Sequence, residues 1–249
     1  MFNFLKKKKK EAKYNFRSIG VDMHSHILPG IDDGAPTLTE SVLLIKRLKD
    51  LGFQQLIATP HVMSDYYRNT PDTIRKALNE VREELEKQQI NISVDAAAEY
   101  YIDEFFEGKL NQKDLLTFGG NHLLFELSFA HHPSGLQEII QKMNGSGYKP
   151  ILAHPERYPY LHQSIEKYRT IKEYGCYFQL NTISLSGYYG KQVQKIAEKL
   201  VDEELVDFIG SDMHHLRHAD ALENSLISPY TEKLIEAGNL HNLALDNAH

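Results

Sequence analysis

Short apolar runs alternate with stretches in which apolar residues recur every three or four positions, beginning at Ile19. The short runs have the length and punctuation of buried strands, and the longer stretches have the period of amphipathic helices. The pattern therefore predicts repeated βα units with seven strands, at residues 19–24, 55–59, 92–98, 122–125, 150–153, 176–180 and 206–210.

Capping residues mark the boundaries of the predicted helices. Thr37 or Thr39 can cap a helix that reaches Leu51, and Thr70, followed by proline, can begin one that reaches Lys87. Further helices are expected at 135–143, 164–174 and 191–200, with two short ones from Ala219 onward. Strands that alternate with helices in this way are typical of an α/β fold with a parallel sheet.

The composition fits one globular domain that needs no covalent staple. The chain has 249 residues, of which 41% are hydrophobic and 25% charged. Its single cysteine, Cys176, excludes a disulfide framework and a cysteine-rich zinc module. The sequence shows no signal-peptide pattern and no apolar run of membrane-spanning length, so we expect a cytoplasmic protein.

Charge is distributed unevenly along the chain. Residues 1–17 contain seven basic residues and one acidic residue, a net +6, so the net −6 of the whole chain leaves −12 on residues 18–249. We expect 1–17 to be a flexible basic segment preceding one catalytic domain at 18–249. The acidic body argues against nucleic-acid binding. Residues 1–10 are expected either to contact an anionic membrane surface weakly or to form a solvated tail.

Candidate metal ligands follow six of the seven predicted strands. They are His24 and His26, His61, Glu99, Glu126, His154, and Asp212 with His214, and the pair Asp32-Asp33 lies in a loop after the first strand. The carboxyl ends of parallel barrel strands meet on one face, so these residues are expected to converge there. Imidazole and carboxylate without thiolate suit manganese, iron or zinc, and shared carboxylates suit two or three ions.

The ordered set of motifs resembles the polymerase and histidinol phosphatase (PHP) superfamily. It is most similar to the bacterial metal-dependent tyrosine-protein phosphatases that act on kinases governing capsule and exopolysaccharide synthesis. The resemblance rests on His24-Ser-His26, Asp32-Asp33-Gly34, Thr59-Pro60-His61, Glu99-Tyr100-Tyr101, Phe125-Glu126-Leu127-Ser128, Ala153-His154-Pro155-Glu156-Arg157-Tyr158 and Ser211-Asp212-Met213-His214. It implies a distorted (β/α)7 TIM-like barrel whose metal cluster, often manganese, lies at the carboxyl ends of the strands.

The resemblance also implies how the ligands are shared among three ions. The first ion would take His24, His26, Glu99 and Asp212, the second Glu99, Glu126 and His154, and the third His61, His214 and either Asp32 or Asp33, with Asp32 matching the superfamily spacing. Two positions depart from these phosphatases, which usually have histidine at the position of Val62 and asparagine at that of His215. The departures bear on substrate preference rather than on metal binding.

The implied reaction is hydrolysis of phosphotyrosine in a protein by a metal-bridged hydroxide. Arg157 is expected to bind the phosphate, and Arg217 is a second candidate. The general acid remains open between His214, Asp33 and a metal-bound water. Four tyrosines are candidates for stacking on the substrate ring, namely Tyr66, Tyr67, Tyr100 and Tyr101.

Two alternative functions remain. The same metals would serve a small-molecule phosphatase acting on histidinol phosphate or a nucleotide, and a metal-stabilised scaffold could dock on a membrane kinase through the basic segment. A cysteine-based phosphatase is excluded because Thr182 stands where the arginine six residues after Cys176 would be required. The partner expected for the leading hypothesis is a membrane-associated bacterial tyrosine kinase, met at the inner membrane surface.

Overall fold

Parallel strands alternate with helices in the computed structural model, which describes residues 11–245. Within these residues the strands are β1 (Val21–Asp22), β2 (Gln55–Ala58), β3 (His61–Val62), β4 (Ser93–Ala96), β5 (Glu99–Tyr101), β6 (His122–Glu126), β7 (Lys149–Ala153), β8 (Tyr177–Asn181) and β9 (Phe208–Gly210). The helices are α1 (Leu38–Asp50), α2 (Pro71–Lys87), α3 (Phe106–Gln112), α4 (Leu136–Gly145), α5 (Ile165–Glu173), α6 (Lys191–Asp202), α7 (Leu216–Ser225) and α8 (Pro229–Ala237).

Side-chain caps fix the starts of the first two helices. Thr37 caps α1, where its hydroxyl accepts a hydrogen bond from the backbone N–H of Glu40 at 3.2 Å. Thr70 and Thr73 form a reciprocal capping box at α2, whose first residue is Pro71. Both helices begin at positions that the capping pattern predicts.

Two of the predicted strands, 55–59 and 92–98, correspond to β2 and β4, and each is followed by a second short strand that was not predicted, β3 or β5. The strand order is β1-β2-β4 in one sheet and β3-β5-β6-β7-β8-β9 in the other, with all pairs parallel. The break between β2 and β3 contains Pro60, which has no backbone N–H to donate. Pairing continues across the breaks, because Ala97 N donates to Ala58 O at 2.8 Å and Glu99 N donates to Pro60 O at 3.1 Å.

The ends of the first and last predicted strands lie side by side. A parallel bridge pairs Ser25 with Met213. Asp212 N donates to His24 O at 2.8 Å, and His26 N donates to Met213 O at 2.9 Å. The expected α/β class, with parallel strands arranged as in a distorted barrel, is confirmed.

Two apolar clusters lie on opposite sides of the strands. The larger one packs the strands against the helices. The smaller one takes its buried residues from several different strands, so it fills the space that these strands surround; among its members are Val21, Ile57, Leu124, Ile151 and Phe208. The polar residues that follow these strands lie beyond the carboxyl-terminal side of this cluster. The candidate site therefore lies at the carboxyl-terminal end of this apolar interior.

The last residues of the predicted basic segment belong to the folded domain. Phe16 is fully buried and stacks on Phe53, with ring centroids 4.7 Å apart. Its backbone N–H donates to Leu51 O at 3.0 Å. The start of the folded domain therefore lies before Phe16 rather than after Arg17, since burial of one large aromatic ring outweighs the polarity of its neighbours.

The predicted membrane contact of residues 1–10 lies outside the described residues. Among the helices of 11–245, none combines the length and the apolar character required to cross a membrane. The longest is α2, with 17 residues, and its sequence PDTIRKALNEVREELEK is strongly charged.

Candidate metal centre

The predicted ligands converge at one end of the strands, where five of them line a single cleft. His24 and His26 follow β1, His61 follows β2 and begins β3, Glu99 follows β4 and begins β5, Glu126 ends β6, His154 follows β7, and Asp212 and His214 follow β9. Within residues 11–245 their nitrogen and oxygen atoms form four overlapping compact groups, namely His26-Asp33-His61-His214, His24-Glu99-His154, His24-His26-Asp212 and His61-Glu99-Glu126. We describe the same ligands below as three sets, defined by the distances between their atoms, and call these the inner, lateral and outer groups.

The inner group consists of His24, His26, Glu99 and Asp212, whose side chains are at most 2% exposed. The Nε2 atoms of the two histidines lie 3.2 Å apart. Each lies 3.3 Å from Glu99 Oε2 and 3.5 Å from Asp212 Oδ1. Two imidazoles and two carboxylates therefore direct their ligand atoms at a common point.

The lateral group consists of Glu99, Glu126 and His154. His154 Nε2 lies 3.2 Å from Glu99 Oε1 and 3.5 Å from Glu126 Oε1. Glu99 Oε2 belongs to the inner group, so the two oxygens of this carboxylate serve different groups. A carboxylate in this position can bridge two ions.

The outer group consists of Asp33, His61 and His214. Asp33 Oδ1 lies 3.6 Å from His61 Nε2 and 3.5 Å from His214 Nε2. The Asp33 side chain is 51% exposed, so this group faces solvent. The other nitrogen of His61, Nδ1, lies 3.1 Å from Glu99 Oε2, which connects the outer group to the inner one.

The two consecutive aspartates occupy different places. Asp32 Oδ2 accepts a hydrogen bond from His26 Nδ1 at 2.7 Å, and its other oxygen accepts one from Gly34 N at 3.0 Å. Asp32 therefore supports a ligand from behind, whereas Asp33 reaches the outer group. The geometry favours Asp33, not the Asp32 suggested by superfamily spacing, as the third ion's carboxylate.

The donor set fits divalent cations. Within residues 11–245, His61 Nδ1 and Glu99 Oε2 are buried side-chain atoms without a hydrogen-bond partner. Burial and the neighbouring Glu99 carboxylate raise the pKa of Glu126 well above its ordinary value. A cation between these groups would satisfy the unpartnered atoms and offset the repulsion between the carboxylates.

Sequence reasoning did not identify the partners of the second oxygen of Asp212. Asp212 Oδ2 accepts hydrogen bonds from Asn181 Nδ2 at 2.6 Å, Arg157 Nη1 at 3.1 Å and Tyr189 OH at 3.3 Å. His24 Nδ1 lies 2.7 Å from Gln179 Oε1. Gln179 and Asn181 lie in β8, which corresponds to the one predicted strand that no candidate ligand follows. That exception in the sequence pattern was the signal that could have pointed to these two residues.

Two ligands have left-handed backbone conformations. The φ angles are +35° at His154 and +49° at Asp212. Such conformations cost a non-glycine residue on the order of 1–3 kcal/mol. The fold therefore holds both residues in strained turns immediately after their strands, which aims their side chains into the cleft.

Arg157 lies at the rim of the cleft. Its guanidinium carbon lies 4.3 Å from the ring centroid of Tyr189 and 4.8 Å from that of Phe129. One nitrogen binds Asp212, and the side chain keeps 25% of its surface exposed. Since a guanidinium has five N–H donors, others remain for an anion in the cleft, which measures about 500 Å³.

Arg217 lies outside this cleft. It is exposed and lines an adjoining depression that also contains Asp33 and His214. The structure thus places the two candidate phosphate-binding arginines differently. Arg157 contacts the inner group through Asp212, and Arg217 lies beside the outer group.

The four candidate stacking tyrosines differ in whether they line the cleft. Tyr67 and Tyr101 line the cleft. Tyr100 is buried, and its hydroxyl accepts a hydrogen bond from Leu116 N at 2.8 Å, while Tyr66 is 77% exposed and is not part of the lining. Tyr100 is therefore a packing residue, because successive strand residues point to opposite faces.

The two departures from the resembled phosphatases have different environments. Val62 is buried in β3, in the larger apolar cluster. His215 lines the cleft, and its ring lies 4.1 Å from that of His218. Cys176 is buried and unpaired, and burial raises the pKa of its thiol. A nucleophilic role for this thiol has no support in its surroundings.

Comparison with protein families gives a match over nearly the whole chain. The family described as "Capsular polysaccharide synthesis, CpsB/CapC" matches residues 20–249. Tyrosine-protein phosphatase YwqE of Bacillus subtilis is 31% identical over 198 residues, which cover 79% of this chain and 78% of that protein. Tyrosine-protein phosphatase CpsB of Streptococcus agalactiae is 31% identical over 203 residues, covering 79% and 83%.

Solved structures agree with these relatives. The chain superimposes with a TM-score of 0.81 and 28% identity on a structure from work on YwqE of Bacillus subtilis and CpsB of Streptococcus pneumoniae, described as unique metal-dependent tyrosine phosphatases. The match covers 90% of this chain and 93% of that one. An amidohydrolase from Mycoplasma synoviae, with a TM-score of 0.57 and 13% identity, shares the fold alone.

Proposed function

The chain belongs to the CpsB/CapC family of capsular polysaccharide synthesis proteins, and from this premise we propose that it is a metal-dependent phosphatase acting on phosphotyrosine in proteins. One observation carries the proposal. The inner, lateral and outer groups meet around the buried Glu99, and six residues of these groups line a single cleft together with Arg157. This arrangement joins cation ligands and a fixed positive charge beside one open space.

Phosphomonoester hydrolysis requires positive charge around the phosphate oxygens and a nucleophile in line with the leaving group. Divalent ions held by the ligand groups would supply that charge and lower the pKa of a bound water. Arg157 binds the phosphate with the N–H groups that Asp212 leaves free. Phe129 and Tyr189 on either side hold its guanidinium in place.

Aromatic side chains around the opening favour an aryl phosphate. Phe129 is 41% exposed, and its ring stacks on that of His154 with centroids 5.7 Å apart. Tyr67 stacks in the same way on His61, also at 5.7 Å. These rings provide apolar faces for the phenyl ring of phosphotyrosine, which a serine phosphate lacks.

Asp33 and His214 take part in the proposed reaction as members of the outer group. Asp33 Oδ1 and His214 Nε2 face each other at 3.5 Å, so both direct their reactive atoms at the same ion position. A phenol has a pKa of about 10 and leaves readily, so a water in the cleft is a sufficient proton source. Arg217 assists substrate binding from the adjoining depression.

The proposed cofactor is manganese, with two or three ions bound and with iron or zinc as substitutes. The proposed partner is a phosphotyrosine protein, namely a membrane-associated tyrosine kinase that controls capsule synthesis. The proposal places the reaction in the cytoplasm, in agreement with an unpaired buried cysteine, Cys176.

The test measures phosphate release by the full chain after removal of metals with a chelator, with and without added Mn²⁺. The substrates are a phosphotyrosyl peptide, a phosphoseryl peptide of the same sequence, and histidinol phosphate. We expect Mn²⁺-dependent release from the phosphotyrosyl peptide alone. The Cys176→Ser variant serves as a control and should retain this activity.

Other outcomes would lead to different conclusions. Release from histidinol phosphate alone would keep the metal centre and reject the protein-phosphatase function. Release without metal, or its loss in Cys176→Ser, would reject the metal mechanism. No release from any substrate by a chain that still binds Mn²⁺ would favour the scaffold alternative.

A further inference from the structure

We infer that Gln179 and Asn181 are positioning residues of the metal centre, whose side-chain amides form a hydrogen-bonded relay between the ligands His24 and Asp212. This inference rests on the metal centre of the proposed function. It adds residues that provide no ligand atom. The relay would set which nitrogen of His24 carries its proton and which oxygen of Asp212 faces the ion.

The relay is a continuous chain of short contacts. Gln179 Oε1 lies 2.7 Å from His24 Nδ1, Gln179 Nε2 donates to Asn181 Oδ1 at 2.9 Å, and Asn181 Nδ2 donates to Asp212 Oδ2 at 2.6 Å. Gln179 and Asn181 are fully buried. As alternate residues at the end of β8, they project to the same face, toward the ligands that follow β1 and β9.

Chemistry fixes the direction of the relay. An ionised carboxylate can only accept hydrogen bonds, so Asn181 must present its NH₂ group to Asp212. Its carbonyl oxygen then faces Gln179, which must present its own NH₂ group in return. The remaining oxygen of Gln179 faces His24 and can only accept.

The relay determines which tautomer the neutral His24 ring adopts. With Gln179 Oε1 as its neighbour, Nδ1 carries the proton, and the lone pair of the neutral ring is left on Nε2. Nε2 is the atom that faces Glu99 and Asp212 in the inner group. The relay thus prepares the nitrogen that must bind the ion, as hydrogen-bond partners behind metal-binding histidines do in general.

The surroundings leave room for the relay. A Cβ atom added at Gly210 would lie 2.7 Å from His24 Cβ and 2.9 Å from Gln179 Nε2. The absence of a side chain at Gly210 therefore lets these two residues meet. Gln179 Oε1 also lies 3.4 Å from the backbone N–H of His154, so the same amide contacts the turn that carries a lateral ligand.

The two histidines of the inner group have chemically different partners. Asp32 places a carboxylate behind His26 at 2.7 Å, whereas Gln179 places a neutral amide behind His24. A second buried carboxylate behind His24 would add negative charge to a site that already has several. The amide orients His24 without that charge, which explains why β8 ends in amides rather than in acids.

The test measures Mn²⁺ binding to the chelator-stripped full chain by electron paramagnetic resonance of the free ion. The variants are Gln179→Leu, Asn181→Leu and the double variant, with Gln179→Met as a second form that keeps side-chain length. Each single change should weaken the tightest site by about 10- to 100-fold. Because the relay acts as one unit, the double variant should bind Mn²⁺ with about the same affinity as the single variant that binds it less tightly.

Asn242 offers a matched control. This buried amide also joins β1 and β9, since its Nδ2 donates to Val21 O at 3.0 Å and to Ile209 O at 2.8 Å, which are backbone groups and not ligand side chains. Asn242→Leu should lower the thermal unfolding temperature while Mn²⁺ affinity stays within about twofold of wild type. Nitrogen-15 NMR of the chain loaded with diamagnetic Zn²⁺ should show the Nδ1–H form of His24 in wild type and a changed Nδ1 signal in Gln179→Leu.

Several results would overturn the relay. One such result is wild-type Mn²⁺ affinity in both Gln179 variants. Another is a fold-loss of Mn²⁺ affinity in the double variant that equals the product of the fold-losses in the two single variants. Failure of the wild-type chain to bind Mn²⁺ would reject both the metal centre and the relay. Normal binding without phosphotyrosine hydrolysis would reject only the proposed function and leave the relay standing.

Discussion

The inner and outer groups use similar ligands in opposite environments. The inner histidines and Glu99 are fully buried, and two side chains hydrogen-bond to the far nitrogens of the histidine rings, namely Gln179 of β8 to His24 and the loop residue Asp32 to His26. In the outer group, Asp33 is half exposed, and the side chains of His61 and His214 are 11% and 15% exposed. The chain thus places one candidate ion site within its core and another at its surface.

This difference indicates a division of labour within the proposed centre. Buried ligands with fixed partners hold an ion in one geometry and slow its exchange with solvent. Ligands at the surface can exchange water and approach a substrate. The inner group would therefore build the site, and the outer group would complete it around the phosphate.

The largest effect is expected from Glu99→Gln, because this change should weaken ion binding in the buried and the exposed groups alike. Glu99 contributes to the inner and lateral groups and approaches His61 of the outer one. Loss of a ligand should exceed the approximately 10- to 100-fold cost of losing a supporting residue, so phosphotyrosine hydrolysis should fall more than about 100-fold. Metal content by mass spectrometry should fall in parallel.

Thermal unfolding of the stripped variant provides the control for Glu99→Gln. Without metal, Glu99 is one of the carboxylates that raise the pKa of the buried Glu126. Against the effect of burial, the neighbouring histidines hold the pKa of Glu99 itself well below its ordinary value, so removal of the charge should also cost some stability and lower the unfolding temperature of the metal-free protein modestly. Lost activity accompanied by a large drop in that temperature would point to misfolding instead of ligand loss.

An intermediate effect is expected from the matched pair Asp33→Asn and Asp32→Asn. The first variant changes the outer group, and the second changes the support of the inner group. Asp33→Asn should remove one bound ion and leave the tightest Mn²⁺ site within about twofold of wild type. Asp32→Asn should keep the number of ions but weaken the tightest site roughly tenfold, since it replaces the carboxylate behind His26. Titration with Mn²⁺ under electron paramagnetic resonance measures both. The opposite pattern would identify Asp32 as the ligand.

The smallest effect is expected from Arg217→Gln, which tests how far substrate contacts extend beyond the outer group. Because Arg217 is exposed and its charge is screened by solvent, we expect a loss of up to about tenfold in kcat/KM for the phosphotyrosyl peptide, mainly through KM. Mn²⁺ binding should not change. A loss as large as that of Arg157→Gln would show that the phosphate lies between the two arginines.

The sequence predicts the strands, most helices and the ligand-bearing strand ends, because hydrophobic period and residue chemistry are local properties. The choice between Asp32 and Asp33 depends on the path of one turn, which spacing does not determine. Gln179 and Asn181 were missed because amides are not typical ligands, and their role becomes visible only when the fold places β8 beside β9 and the end of β9 beside the residues that follow β1. Burial of Phe16 was hidden by the basic residues that surround it.

The hydrogen bond from Asp212 N to His24 O joins residues at nearly opposite ends of the folded chain. Contacts of such long sequence separation form late, since a large loop must close first. During synthesis, therefore, the inner group cannot exist until almost the entire domain has left the ribosome. An incomplete chain would hold no ion in this position, so acquisition of the metal would mark a fully folded domain and would then stabilise it by mass action.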